Sequence, residues 1–265
     1  MKKKDNSTPY PTKTVYYESE NDEFSDAKIT PRKIDEKYKY RTCGFFYRLT
    51  RFVLYRIIFF PIAFFYSKIS LGHKTVGREK LKKFHGGYFI YSNHTQQIGD
   101  AFMPNVAFFP KDIYMVVHPN NVSMPVLGAI TPYLGALPLP DTIKATRSFK
   151  AAVKRVIDKG GCVTVYPEAH IWPYYTGIRD FPATSMKYPV ELDAPCFAMT
   201  TTYRCRRFGR KPRTVTYLDG PFYPDQSLSP RARTQALRDE IYQTMVNRSR
   251  ESDCEYIRYT KKEES

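Results

Sequence analysis

From residue 72 onward the chain alternates short apolar runs with segments of helical periodicity, and this alternation constrains the fold more than any other feature. Five runs have the length and composition of buried strands: YFIYS (88–92), DIYMVV (112–117), CVTVY (162–166), CFAMTTTY (196–203) and TVTYL (214–218). Apolar residues at helical spacing lie between or after these runs, at 145–160 and at 230–250. Strands that alternate with helices predict an α/β fold, with a mostly parallel or mixed central sheet and flanking helices.

A segment rich in aromatic and aliphatic residues, 43–71, precedes this domain. Its longest run without a charge, 57–67, is shorter than the roughly 20 apolar residues that a membrane-spanning helix needs. On a helix, Arg48, Arg51 and Arg56 lie within one arc and most of the phenylalanines lie outside it, which is typical of a helix in the headgroup plane of a membrane. We therefore expect an amphipathic, membrane-associating helical segment. The alternative is a helix that packs on the domain's own core.

The chain of 265 residues carries a formal net charge of +16, which predicts an anionic partner. Residues 1–42 are polar and contain few aliphatic side chains, so we interpret them as a disordered tail, and residues 253–265 as a charged tail. The basic run at 204–213 contains a single aromatic residue, Phe208, and belongs to no recognisable nucleic-acid-binding module, which argues against nucleic acid. The five cysteines are widely spaced without a CxxC pair, so the sequence predicts neither a metal site nor a disulfide framework.

His94 follows the first predicted strand, beside Asn93, and Asp100 comes six positions later. Open α/β sheets bind ligands at the carboxyl ends of their strands, so His94 is the first candidate for chemistry. A carboxylate on one ring nitrogen would fix the tautomer and stabilise the imidazolium. No serine or cysteine nearby makes an obvious nucleophile, so the pattern favours a general base that activates a substrate hydroxyl. A histidine satisfied within the core is the alternative.

Four blocks of sequence between residues 72 and 220 resemble, in the same order, those of the glycerolipid acyltransferases, the family that includes the lysophosphatidic acid acyltransferases. The blocks are TVGREKLKKFHGGYFIYSNH (75–94), LGALPLPDT (134–142), VTVYPEAHIWPYYTGIRDFPATS (163–185) and APCFAMTTTY (194–203). The first ends in the family's Asn-His pair. The third has Tyr166, Pro167 and Glu168 on the first three positions of the family's Phe-Pro-Glu-Gly-Thr-Arg-Ser motif.

The resemblance implies an acyltransferase domain over residues 72–252. Such a domain transfers a fatty acyl group from a CoA or acyl carrier protein thioester to the hydroxyl of a lysophospholipid such as 1-acyl-glycerol-3-phosphate. It implies His94 as the base, Asp100 as the residue that orients it, and Asn93 in contact with substrate. The thioester is a co-substrate, and no metal or other cofactor is implied. The alternatives are a phosphate-free or glycolipid acceptor, or a non-catalytic membrane-bound lipid-binding protein of the same fold.

The chain departs from the family pattern in the spacing of the catalytic pair. Five residues separate His94 from Asp100, where the family has four. On a regular helix one extra residue rotates the carboxylate by about 100°. We expect Gly99 to relieve this with a bulge or a left-handed residue before the helix.

The chain also lacks the arginine of the third block, because AHI (169–171) replaces Gly-Thr-Arg. We expect Arg179, and after it His170, to bind the acceptor's phosphate from the same loop. For the second block, Lys144 or Arg147 would supply the positive charge that an arginine provides in the family.

Backbone donors for the tetrahedral oxyanion would come from Gly135 or from the segment after Glu168. Glu168 itself would either orient its loop or bind the acceptor's free hydroxyl. An enzyme of this class meets its acceptor in a lipid surface and its donor in the cytosol. The resemblance therefore implies three partners: a phospholipid membrane surface, a lysophospholipid acceptor and an acyl thioester donor. The expected location is the cytoplasmic side of a membrane, with peripheral or monotopic attachment.

Overall fold

The computed structural model describes residues 10–24, 30–40, 44–82, 84–206 and 211–262. The strands in these ranges are β1 (Lys13–Tyr17), β2 (Lys74–Val76), β3 (Tyr88–Ser92), β4 (Ile113–Val117), β5 (Ala136–Pro138), β6 (Cys162–Val165), β7 (Cys196–Arg204), β8 (Arg213–Phe222) and β9 (Ile257–Lys261). Seven of them form the central sheet, in the order β2-β8-β7-β3-β6-β4-β5. Neighbours pair in parallel except β7 and β8, which pair antiparallel. The predicted α/β fold with a mixed sheet and flanking helices is confirmed.

The first helical stretch is continuous and is called here the aromatic helix (Phe45–Ser70). It consists of α1 (Phe45–Arg51), a π-helical segment (Phe52–Phe59), α2 (Phe60–Phe65) and a second π-helical segment (Tyr66–Ser70). The later helices are α3 (Gly99–Ala107), α4 (Leu127–Leu134), α5 (Ile143–Asp158), α6 (Lys187–Leu192) and α7 (Pro230–Ser249). Short 3-10 helices lie at Arg78–Leu81, Pro119–Val122 and Ala183–Met186.

The side chains of β3 alternate between two cores, one on each face of the sheet. Phe89 and Tyr91 pack in the core that α5 and α7 cover. Tyr88 and Ile90 pack on the other face, in a core to which the end of α3 contributes Ala107. A strand covered on both faces has a continuous apolar sequence rather than an alternating one. This is why the five apolar runs predicted strands, and all five are strands in the structure.

The aromatic helix packs on the domain through one stripe of side chains. Its buried residues occur at four-residue intervals, with a half-buried Phe59 among them: Tyr47, Arg51, Tyr55, Ala63, Ser67 and, just past the end, Leu71. In a regular α-helix a four-residue repeat drifts by about 40° per step. The wider i→i+5 turns of the π-helical segments offset this drift, so the stripe keeps facing the domain.

The opposite face of the aromatic helix is exposed and apolar. Its exposed large side chains include Phe45, Phe46, Leu49, Phe52, Ile57, Ile62, Phe65 and Ile69. By length and composition alone, this helix is long and apolar enough to cross a membrane. The helix thus packs on the domain, as the alternative predicted, and presents an apolar face; its association with a membrane stays a prediction.

The prediction that three arginines of this helix share a headgroup-facing arc is wrong for two of them. Arg51 is 5% exposed and donates to two backbone carbonyls of the domain. Arg56 pairs with Asp112, just before β4. Arg48 is exposed. Two of the three arginines therefore attach the helix to the domain.

The chain is ordered near both ends, where the sequence predicted tails. β1 pairs in parallel with β9 along its whole length, and Ile34 is fully buried. The predictions of a disordered tail over 1–42 and a charged tail over 253–265 are therefore wrong for these segments. The two strands contain several polar residues and lie far apart in sequence, so the local sequence around each strand does not predict that they pair. The parts of those predictions that fall on residues 1–9, 25–29, 41–43 and 263–265 lie outside the described residues.

Candidate active site

His94 lies just past the carboxyl end of β3, between the neighbouring strands β6 and β7. Its ring Nδ1 is 2.7 Å from Oδ2 of Asp100. The Asp100 side chain is 2% exposed and the His94 side chain 18%. The two predicted catalytic residues thus form a hydrogen-bonded pair, in which the carboxylate binds Nδ1 and leaves Nε2 on the far side of the ring.

An irregular turn before α3 takes up the extra residue between His94 and Asp100. The backbone N–H of Gln96 donates to Asp100 Oδ2 at 2.9 Å, and the Gln96 carbonyl accepts from the Asp100 N–H at 2.9 Å. Gly99 begins α3 without the left-handed conformation that we expected. A Cβ at Gly99 would instead lie 2.9 Å from both Gln96 Cβ and Leu71 Cδ1. The glycine therefore permits close packing of the turn on the end of the aromatic helix.

Asp100 is held in a buried and partly polar environment. Burial raises the pKa of Asp100 above its ordinary value, whereas the hydrogen bonds from His94 and from the Gln96 amide act in the opposite direction. Tyr166 completes this environment, since its hydroxyl donates to the Asp100 carbonyl at 2.6 Å. The Tyr166 ring also stacks on the His94 ring. Tyr166 stands at the head of the third block, and this position is the sequence signal that could have identified its role.

Glu168 and Arg179 form a buried ion pair behind His94. Arg179 Nη2 lies 3.0 Å from Glu168 Oε2, and the two side chains are 2% and 0% exposed. The same Oε2 accepts from the backbone N–H of His94 at 3.3 Å. Burial raises the pKa of Glu168, and the charge of Arg179 acts in the opposite direction. Glu168 thus orients its loop and the backbone of His94, which is one of its two expected roles.

Arg179 is not presented to a substrate, contrary to the prediction that it binds the acceptor's phosphate. Its guanidinium donates to the backbone carbonyls of Glu20, at 3.0 Å, and of His170. It also lies against the Trp172 ring, 4.9 Å from the centroid. His170 pairs with Glu23 at 2.9 Å. The N-terminal segment therefore covers this part of the loop, and both predicted phosphate ligands already have partners within the protein.

Asn93 fastens the end of β3 to β7. Its Oδ1 accepts from the Thr201 N–H at 2.8 Å, and its Nδ2 donates to the Thr201 carbonyl at 3.0 Å. The side chain is buried, so the prediction that Asn93 contacts substrate is wrong. It fixes the strand end from which His94 projects.

Gly135 lies at the opposite edge of the sheet from His94. It precedes β5, which runs parallel to β4, β6 and β3, so it stands at the amino edge. A Cβ there would lie 2.5 Å from the Ile113 carbonyl oxygen, and its φ of 103° also favours glycine. The prediction that Gly135 supplies an oxyanion donor is therefore wrong. In the loop after Glu168, several amides already donate to carbonyls within the protein: those of Ala169, His170, Trp172 and Tyr174.

Lys144 and Arg147 lie on the first turns of α5 and are exposed. Since α5 follows β5, these turns stand toward the carboxyl edge, as His94 does. Among the four side chains predicted to supply positive charge for the substrate, Lys144 and Arg147 are the two that are exposed. In the part of the chain that the structure describes, no group of three or more His, Cys, Asp or Glu side chains is arranged to hold a metal ion.

No protein-family model and no curated protein sequence matches this chain. The fold is similar to that of a solved structure, the 1-acyl-sn-glycerophosphate (LPA) acyltransferase PlsC from Thermotoga maritima. The TM-score is 0.52 at 15% sequence identity, over 78% of this chain and 83% of the other. The chain therefore has the fold of a glycerolipid acyltransferase, as the four sequence blocks implied.

Proposed function

We propose that this protein is a membrane-associated O-acyltransferase, which transfers a fatty acyl group from an acyl thioester to the hydroxyl of a lysophospholipid. The observation that carries the proposal is the 2.7 Å contact between His94 Nδ1 and the buried Asp100 carboxylate. The fold supports it, because a solved acyltransferase has the same architecture. The proposed donor is acyl-CoA or an acyl carrier protein, and the proposed acceptor is 1-acyl-glycerol-3-phosphate.

The chemistry follows from the free Nε2 of His94. Nε2 takes the proton from the acceptor hydroxyl as its oxygen attacks the thioester carbonyl carbon. The new C–O bond forms, the C–S bond breaks, and Nε2 returns the proton to the leaving thiolate. Asp100 holds the ring in the required tautomer and stabilises the imidazolium. General base catalysis of this kind contributes about 10²- to 10⁴-fold in rate.

The exposed apolar face of the aromatic helix supports membrane association. The helix ends beside the catalytic turn, where Leu71 contacts the Gly99 position. An acceptor held in a lipid surface would therefore lie near His94. A donor made in the cytosol places the protein on the cytoplasmic side, as a peripheral or monotopic protein.

His94→Ala tests the proposal. The purified variant should lose thioester-dependent acylation of lysophosphatidic acid by at least about 10²-fold while its binding to liposomes is unchanged. Asp100→Asn should lower the rate in the same way. If both variants acylate like the wild type, the pair is not catalytic and the proposal fails. A non-catalytic lipid-binding protein would show no acylation with either the variants or the wild type.

The burial of Arg179 favours a second candidate, acylation of a phosphate-free or glycolipid acceptor. In that reading no cation needs to face the acceptor. Competition between lysophosphatidic acid and monoacylglycerol separates the two candidates. Preference for the phosphate-bearing acceptor that is lost in Lys144→Ala/Arg147→Ala would support the first, and equal use of both acceptors would support the second.

A further inference from the structure

A second cleft lies at the amino edge of the sheet, remote from His94. It has a volume of about 900 Å³ and lies between α1 with the π-helical turns that follow it and the segments that lead into β4 and β6. Asp112 precedes β4 and Gly161 precedes β6, so the cleft floor is formed by strand beginnings. His94 follows the end of the parallel strand β3. About five residues of strand, or roughly 16 Å, separate the two edges.

The cleft is strongly basic. Its lining carries six basic side chains and one carboxylate: Arg48, Arg51, Arg56, Lys111, Arg155 and Lys159, with Asp112. Asp112 already pairs with Arg56. Of the basic side chains, Arg48 and Lys159 are exposed, on opposite walls. An anion that enters the cleft would therefore meet an excess of positive charge.

The cleft opens beside an apolar surface. Phe45, Leu49 and Phe52 line it and are 75%, 54% and 57% exposed. These side chains begin the exposed face that runs along the aromatic helix. A soluble anion gains nothing from binding next to apolar side chains. An acidic phospholipid, in contrast, needs a cationic site for its headgroup next to an apolar site for its chains.

We propose that this cleft binds the headgroup of an acidic phospholipid and that it anchors the start of the aromatic helix to an anionic membrane. The site is separate from the acylation site and takes a lipid that is not consumed. The inference rests on the membrane association in the proposed function and does not depend on its chemistry. Arg51 also lines the cleft, but it is 5% exposed and donates to two backbone carbonyls, so Arg48 and Lys159 are the cations that a headgroup would meet.

Binding to vesicles tests the proposal. The full chain is sedimented with vesicles of phosphatidylcholine alone, and with vesicles of equal parts phosphatidylcholine and phosphatidylglycerol. Arg48→Gln/Lys159→Gln should lower the partition coefficient on the anionic vesicles about thirtyfold, because each basic residue contributes about 1 kcal/mol at an acidic surface. Its partitioning on the neutral vesicles should equal that of the wild type.

The matched control is Arg231→Gln/Arg250→Gln, which removes the same charge from exposed positions on and just past α7, outside the lining of the cleft. It should bind the anionic vesicles within about threefold of the wild type. Equal losses of binding to anionic vesicles in the two double variants would indicate a general effect of charge and would contradict a binding site in the cleft. Wild-type binding by Arg48→Gln/Lys159→Gln would contradict it as well.

Acylation measured in neutral detergent micelles separates this inference from the proposed function. Arg48→Gln/Lys159→Gln should keep the wild-type rate there, since both residues lie at the far edge. If the wild type binds anionic vesicles through the cleft but no variant or wild type acylates, the inference stands and the proposed chemistry fails. If acylation depends on His94 but Arg48→Gln/Lys159→Gln binds anionic vesicles like the wild type, the proposed chemistry stands and the inference about the cleft fails.

Discussion

The phenol ring of Tyr166 stacks on the imidazole of His94, with centroids 4.4 Å apart and 24° between the planes, while its hydroxyl donates to the Asp100 carbonyl. One side chain therefore restrains both members of the catalytic pair. The stack limits rotation of the ring, and the hydrogen bond fixes the first turn of α3. This arrangement gives Tyr166 a positioning role.

Tyr166→Phe should keep the stack and lose the hydrogen bond. We expect kcat/KM to fall about 2- to 13-fold, the equivalent of a hydrogen bond of about 0.5–1.5 kcal/mol, with little change in KM. Tyr166→Leu, which removes the stack as well, should lose more and should alter the pH profile of kcat. Equal activity in the two variants would show that stacking has no part in orienting His94.

We expect the ion pair between Glu168 and Arg179 to contribute mainly to the stability of the fold rather than to the acyl transfer step. Glu168→Gln leaves the Arg179 charge buried without its partner, so we expect a loss of about 3–5 kcal/mol in the free energy of unfolding. Arg179→Met should cost a similar amount. The double variant should lose less than the sum of the two, as measured by urea denaturation. Strict additivity would mean that the pair does not interact as the 3.0 Å contact indicates.

Gly99→Ala should disturb the catalytic turn although alanine favours helices. The added Cβ would lie 2.9 Å from Gln96 Cβ and Leu71 Cδ1, so the turn must shift. We expect a loss of about 1–3 kcal/mol and a lower kcat, because Gln96 carries the amide that binds Asp100. Gly86→Ala is the matched control, since its nearest new contact is 3.5 Å away. A stable, fully active Gly99→Ala would show that the turn relaxes freely.

His73 should make stability depend on pH. Burial, together with the charge of Lys68, lowers the pKa of His73 to about 3 from its ordinary value of about 6.5. The unfolded state therefore binds the proton first, so stability is complete above pH 6.5 and is lost as pH falls toward 3. From pH 7.5 to 5 this loss amounts to about 2 kcal/mol. His73→Gln should remove it, as measured by urea denaturation at both pH values, with His85→Gln as the control for an exposed histidine. Parallel pH dependence in His73→Gln and the wild type would contradict the assignment.

Five of the seven strands in the central sheet were predictable because they are largely buried on both faces and read as apolar runs. The catalytic pair was predictable too, since His94 follows one of these runs and Asp100 lies only six positions away. Its geometry was not, because the irregular turn depends on packing between Gly99 and Leu71. The sequence pattern alone predicted either a bulge or a left-handed residue at this point.

The sequence did not predict the contacts between segments that lie far apart in the chain. Arg179 was predicted to bind the acceptor's phosphate because it lies in the loop of the third block, where the family's arginine is missing. Its second set of contacts comes from Glu20, far away in the chain. Gly135 was misplaced for a similar reason, because the edge of the sheet on which a residue lies depends on strand order and direction. Only the three-dimensional arrangement supplies these two facts.

The pairing of β1 with β9 has a consequence for biosynthesis. β9 leaves the ribosome roughly 12 to 50 seconds after β1, at about 5–20 residues per second. Throughout that interval the first strand has no complement, and Tyr259 of the last strand is not yet stacked on Trp172. The loop that follows Glu168 is therefore completed only after β9 has been synthesised, so a nascent chain truncated before β9 would hold His94 beside a loop that lacks its outer cover.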